Sequence, residues 1–166
     1  TQPINVIFVI DVSGSMSGIK LQDAQDAALA ALNELQIGRD RVGVIAFSSG
    51  MRVIHPLSDL TEASLQDCQN QLRSLNAAGG TQIGPPTLRA LQLFGQADAD
   101  GPKLLMVMTD GEDEDLAAMV DRIVKDSDAQ GVPVFTIAFG EEIVEAKAVL
   151  EALASRCEGK YYFAPT

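Results

Sequence analysis

The sequence predicts an α/β fold built on a doubly wound, mainly parallel six-stranded sheet with one antiparallel edge strand. Residues 4–10 (Ile-Asn-Val-Ile-Phe-Val-Ile) and 103–108 form nearly continuous apolar runs, the pattern of strands buried on both faces. Such runs alternate with segments whose apolar residues recur at helical spacing, which implies repeated strand–helix units and a parallel sheet covered on both sides. The second and third runs are joined only by Ser48-Ser49-Gly50, a link too short for a parallel crossover, so that pair is antiparallel.

Residues 4–10 make the first strand. Leu21, Ala24, Ala28, Leu32 and Leu35 mark the first helix, with Gly38 placed to end it. Residues 41–47 form the second strand and 51–57 the third, where Pro56 near the end suits an edge position. Thr61 is placed to cap a helix carrying Leu65, Cys68 and Leu72, although Ser64 stands where a full capping box has Glu or Gln. A loop over 76–81 precedes a helix beginning near Pro85 or Pro86 and carrying Leu88, Leu91 and Leu93, since proline suits a first helical turn. Residues 98–101 (Asp-Ala-Asp-Gly) read as a turn, because the later ligands of a calcium loop are missing. The fourth strand covers 103–108. A helix with Met119, Ile123 and Val124 follows, then a fifth strand at 132–139, a helix around 149–153 and a short strand at 160–163.

A chain of 166 residues is one domain, spanning 1–166 and burying about two thirds of its unfolded surface. Its strands begin and end close to the chain ends and no basic, apolar leader is present, so it reads as a domain trimmed from a longer protein. The apolar runs are too short to span a bilayer, and direct membrane insertion is not expected. Twenty-three acids against twelve Lys plus Arg give a net charge of −11, which repels phosphate backbones and argues against nucleic acid as a partner. Two cysteines define no disulfide framework. Cys68 and Cys157 read as small buried side chains with free thiols, and the compartment stays open between cell surface and cytoplasm.

A carboxylate closely follows each of the two longest apolar runs. In an open parallel sheet the carboxyl ends of the strands share one edge, so Asp11 and Asp110 are neighbours if their strands are. Ser13 and Ser15 alternate with Asp11, and a sharp turn with Gly14 at its centre aims all three side chains at one point. Taken singly, each residue has an ordinary structural reading: Asp11 as a helix cap, Ser13 and Ser15 as turn residues, Asp110-Gly111 as a turn dipeptide. None of these explains why hydroxyls and acids gather at the ligand edge in this order.

Asp11-Val12-Ser13-Gly14-Ser15, Thr81 after Gly79-Gly80, and Thr109-Asp110-Gly111 together resemble the von Willebrand factor type A domain family. Its metal-ion-dependent adhesion site uses Asp-x-Ser-x-Ser, a distant Thr and a distant Asp. The resemblance covers nearly the whole chain and implies a Rossmann-like fold. It also implies that Asp11, Ser13, Ser15, Thr81 and Asp110 are metal ligands. Mg²⁺ suits such hard oxygen donors, with Mn²⁺ or Ca²⁺ as alternatives. Neutral hydroxyls leave much of the metal charge uncompensated, so a protein partner can complete the shell with an Asp or Glu carboxylate, which is adhesion chemistry. Residues 47–50, 79–84 and 159–163 are worded more like bacterial or archaeal members than like animal matrix domains.

Glu112-Asp113-Glu114-Asp115 has two readings, acids favouring a helix N-terminus or an acidic rim that calls for basic residues around the partner's carboxylate. Local chemistry favours the first. His55, the only histidine, falls on the third strand away from this edge, so no Ser-His-Asp or Cys-His constellation can be assembled there, and no phosphate-binding glycine loop is present. The chain is read as non-enzymatic. One alternative is Mg²⁺-dependent phosphotransfer with Asp11 as nucleophile. Against it, Ser13 occupies the place of the second acid in haloacid-dehalogenase-like enzymes, and no lysine lies beside Thr81 or Asp110. Another is a scaffold whose metal is purely structural.

Overall fold

The strand Asn5–Asp11 (β1) is buried at every position, and the sheet is assembled around it. The computed structural model describes residues 2–97, 100–111, 113 and 115–165. After β1 come a 3-10 turn (Gly14–Met16), α1 (Ile19–Asn33), β2 (Arg41–Phe47), β3 (Met51–Asp59), α2 (Glu62–Arg73) and α3 (Gly84–Gln96). They are followed by β4 (Lys103–Thr109), α4 (Leu116–Gln130), β5 (Val134–Gly140), α5 (Val144–Arg156) and β6 (Tyr161–Pro165). The six strands lie in the order β3-β2-β1-β4-β5-β6, with β3 antiparallel to β2 and every other pair parallel. The expected sheet, with its antiparallel edge, is therefore the one observed.

Alternation along β1 divides the core in two. Ile7 and Val9 pack on the face covered by α3, α4 and α5, with Leu91, Phe94, Ile123 and Leu153. Val6, Phe8 and Ile10 pack on the opposite face with Leu21, Ala28 and Leu32 of α1 and Leu72 of α2. Side chains alternate across a strand, so a strand apolar at consecutive positions needs a layer on each side. The chain runs outward from β1 through β2 to β3, crosses back to β4 on the other side of β1, and continues outward to β6. The order reverses between β1 and β4, and in doubly wound sheets the crevice beyond the strand ends at that point is where ligands bind.

Local expectations are corrected in three places. Gly38 does not end α1, which stops at Asn33. Gly38 instead belongs to a turn in which Asp40 accepts hydrogen bonds from the N–H of Gln36 at 2.7 Å and of Ile4 at 2.9 Å. At α2 the capping box is complete: the Thr61 hydroxyl accepts from Ser64 N–H, and the Ser64 hydroxyl accepts from Thr61 N–H at 2.7 Å, so serine fills the role expected of Glu or Gln. β3 runs to Asp59 and tolerates Pro56 at the sheet edge through irregular pairing between Val42 and Ile45. Of the turn at 98–101, Asp98 and Ala99 lie outside the described residues, while the Asp100 carbonyl accepts from the Asn5 side chain at 2.7 Å. His55 is buried in β3, and among the described residues its Nδ1 has no hydrogen-bond partner.

Asp40 is also paired with Arg39, whose Nε donates to it at 2.8 Å and Nη2 at 3.0 Å. That guanidinium, helped by the two backbone donors and opposed by burial, lowers the Asp40 carboxyl from 3.8 to about 2. A carboxyl lowered in the fold contributes stability above its unfolded value and loses it as pH falls through the folded one. Asp40→Ala is expected to cost about 3 kcal/mol in urea unfolding at neutral pH, because it strands two backbone donors and a guanidinium. It should also flatten the fall in stability below about pH 4. An unchanged unfolding midpoint would refute this role.

Cys68 lies in the core under α1 and α2, and Cys157 in the core on the other face of the sheet. Both are free, and β3 and β6 stand at opposite edges as the unbonded pair requires. Burial, with the nearby Asp67 charge, pushes the Cys68 thiol up to about 12, and burial raises Cys157 as well. Both thiols should therefore be inert to thiol reagents in the native protein, and two should titrate after denaturation without reductant.

Candidate functional site

Asp11 ends β1 and is wholly buried. Its Oδ1 accepts the Ser13 N–H at 2.8 Å, a local turn that brings the chain round so that the Ser13 and Ser15 hydroxyls lie 3.0 Å apart and share a hydrogen bond. Its Oδ2 accepts the Thr109 hydroxyl at 2.7 Å from the end of the neighbouring β4. Thr109 in turn accepts the Gly111 N–H at 2.9 Å, which fixes the turn carrying Asp110. Burial raises the Asp11 carboxyl above its usual range, and the nearby Asp110 charge adds to the rise. Hydrogen bonds from Ser13 and Thr109 oppose it.

The loop between α2 and α3 is tied to this turn through its backbone. Ala78 N–H donates to Val12 O at 2.8 Å, Gly14 N–H donates to Gly79 O at 2.9 Å, and Gln82 N–H donates to Ser48 O at 2.9 Å. Thr81, between these ties, is half-buried, and among the described residues its hydroxyl makes no hydrogen bond to the other four candidates. The fold thus brings Asp11, Ser13, Ser15 and Asp110 to one point at the sheet edge, and it brings the loop of Thr81 against their turn.

Lys20 also reaches this point, its Nζ 3.6 Å from Asp110 Oδ2. The expectation that no lysine lies beside Asp110 is therefore wrong: Lys20 is far away along the chain and becomes a neighbour because α1 begins at the edge where β4 ends. Thr109 is a second residue that sequence reasoning left without a role. Its only sequence signal was its place in the Thr109-Asp110-Gly111 turn, directly after a buried run.

The acidic run is corrected too. α4 begins at Leu116, after the run, with no acid in its first turn and no side-chain cap from Asp115. Asp113 instead accepts the Ile83 N–H at 2.7 Å and the Asp115 N–H at 2.9 Å, tying the turn after β4 to the start of α3. Glu112 and Glu114 lie outside the described residues. Gly111 has φ +84, and a Cβ there would stand 2.9 Å from the Ala146 Cβ and 3.1 Å from Leu150 Cδ1, so α5 rests directly on the backbone after Asp110.

A family model described as the von Willebrand factor type A domain matches residues 5–166. The chain belongs to this family. Members of the von Willebrand factor type A domain family commonly mediate protein–protein interaction. The chain is 32% identical over 167 residues to human inter-alpha-trypsin inhibitor heavy chain H4, covering 93% of this chain and 17% of that protein. It is 27% identical over 151 residues to human heavy chain H2, covering 85% and 16%. The chain therefore spans about a sixth of the length of these curated relatives. Among solved structures it is similar to a von Willebrand factor type A protein from Catenulispora acidiphila, with a TM-score of 0.86, 25% identity, and 99% of this chain and 39% of that one covered. It shares the fold of the PilB minor pilin from Streptococcus sanguinis, with a TM-score of 0.76 at 15% identity, covering 99% of this chain and 57% of that one. Among the described residues of this A domain, no helix is long and apolar enough to cross a membrane.

Thr109→Val tests how far the edge depends on the hydroxyl between Asp11 and Gly111. It keeps the side-chain shape but leaves one carboxylate oxygen and one N–H unsatisfied in a buried place, at an expected cost of about 2 to 3 kcal/mol in denaturant unfolding. A loss under about 0.5 kcal/mol would show that the turn does not rest on this bond.

Proposed function

We propose that this chain is a divalent-cation-dependent protein-binding module, an adhesion or interaction domain without enzymatic activity. Asp11, Ser13, Ser15, Thr81 and Asp110 would hold Mg²⁺, with Mn²⁺ or Ca²⁺ as alternatives, and the partner would offer an Asp or Glu carboxylate. One observation carries the reading: a fully buried carboxyl, raised by burial and by a second acid, stands beside two serine hydroxyls 3.0 Å apart at the ligand edge of the sheet. Among the described residues no cluster of three or more His, Cys, Asp or Glu could hold a metal, at this edge or elsewhere, so the reading rests on hydroxyls beside two acids. The donor set of hard oxygens fits Mg²⁺ chemistry.

The cation, when bound, supplies a Lewis-acidic positive centre for a partner's carboxylate oxygen. The chain's own residues prepare for it. Ser13 N–H and the Thr109 hydroxyl orient Asp11, the serine hydroxyls contribute donors without negative charge, and the ties at Val12 and Gly14 hold the Thr81 loop against the turn.

The Lys20–Asp110 contact removes one argument against phosphotransfer. The burial of Asp11 still weighs against it, because none of the residue is exposed and a phosphoryl donor, much bulkier than a cation, has no open line of approach to its oxygens. Incubation with acetyl phosphate should leave the intact mass unchanged. A stable adduct on Asp11 would favour the enzyme.

Thermal melts with Mg²⁺ and with EDTA test the binding reading. At a hundred times Kd the cation should add about 2.7 kcal/mol of stability. Ser15→Ala should weaken that gain while leaving the EDTA melt close to wild type. The gain should also depend on pH. A carboxyl raised in the fold withdraws support from the metal-free protein as pH rises through its folded value, whereas the cation needs that carboxyl deprotonated and competes with its proton, so Mg²⁺ should stabilise more at about pH 7 than at about pH 4. Identical melts with no calorimetric heat would sink the proposal. Unfolding on chelation without partner binding would favour a structural metal.

A further inference from the structure

Lys20 lies in the first turn of α1, with its side chain about three tenths exposed and its ammonium 3.6 Å from the nearly inaccessible Oδ2 of Asp110. Its stem crosses Gly140, the last residue of β5. A Cβ at Gly140 would stand 2.5 Å from Lys20 Cε and 3.1 Å from Cδ, and Gly140 has φ +93, which favours a residue without a side chain. The start of α1, the end of β4 and the end of β5 thus hold one ammonium at the edge where the two acids meet.

Building on the cation-binding reading, we propose that Lys20 is a specificity-determining residue of this site: it weakens uptake of the divalent cation and strengthens binding of a carboxylate to the loaded site. The reason is charge. Asp11 and Asp110, the two charged donors among the five, would offset part of a divalent cation's charge and so weaken its attraction for a partner's carboxylate. With the Lys20 ammonium beside Asp110, the loaded centre carries one more positive charge than the cation and the two acids alone. The same ammonium repels the incoming cation, since like charges in a partly desolvated site raise each other's free energy. Partial exposure of Lys20 limits both effects through screening, to about tenfold each.

The two effects have opposite signs, which makes the test decisive. Lys20→Met removes the charge and keeps an apolar stem over Gly140. Mn²⁺ titrated into wild type and variant by calorimetry gives the cation affinity. Acetate titrated into the Mn²⁺-loaded proteins, followed by water-proton relaxation, gives the carboxylate affinity. Lys20→Met should bind Mn²⁺ about tenfold more tightly and, once loaded, bind acetate about tenfold more weakly. Lys20→Arg should restore both constants towards wild type, and Lys20→Gln, measured in parallel, should repeat the Met result with a polar end. Wild-type Mn²⁺ binding with constants unchanged in the variants, or shifted in the same direction, overturns the role of Lys20 alone. Absence of Mn²⁺ binding by the wild type overturns the cation reading and this inference with it.

Discussion

A carboxylate closed off from water at the end of the central strand constrains most of what surrounds it. Asp11 is the last of seven buried residues along β1, so it cannot be hydrated and must be hydrogen-bonded from the protein. The donors come from two directions, Ser13 N–H from its own turn and the Thr109 hydroxyl from β4. Satisfying one acid therefore fixes the turn after β1 and the turn after β4 relative to each other. The residual cost is still visible in the raised Asp11 carboxyl, and a protein that keeps an ionisable group under such strain has a candidate functional site by that fact.

The sheet order explains why the site lies where it does. β1 has a parallel neighbour on each side, and the two cores it separates are filled by different helices. The loops that leave β1 and β4 turn towards opposite faces and open a crevice between them. Into that crevice the α2–α3 loop is drawn by backbone hydrogen bonds to Val12 and Gly14, which need no particular side chain. α5 then rests on Gly111, so the turn carrying Asp110 is packed from behind as well as held from the front.

Charge at this edge differs from the charge of the chain. The protein is strongly acidic, yet the two site acids are neighboured by Lys20, and Asp113 spends both its oxygens on backbone donors. Net charge governs long-range encounter, whereas binding at the edge is set by groups within a few ångströms. The described part of the acidic run therefore joins the turn after β4 to the start of α3 and gives α4 no side-chain cap.

By itself the sequence determined the strands, the antiparallel edge and the order of the three motif segments. These follow from apolar runs, a three-residue link and residue types at fixed spacing, all of which are local. The Thr61 cap was also legible, although Ser64 completed it where a longer side chain was expected. Only the tertiary structure decided that Thr109 donates to Asp11 across 98 residues, that Lys20 stands beside Asp110, that Asp113 reaches Ile83, and that Asp40 closes the turn after α1 where Gly38 was expected to act. Periodicity reports which face of an element is buried but not which element lies next to it. Most of these contacts join residues distant in the chain and depend on β1 lying beside β4, so their chemistry became readable only once the strand order was known.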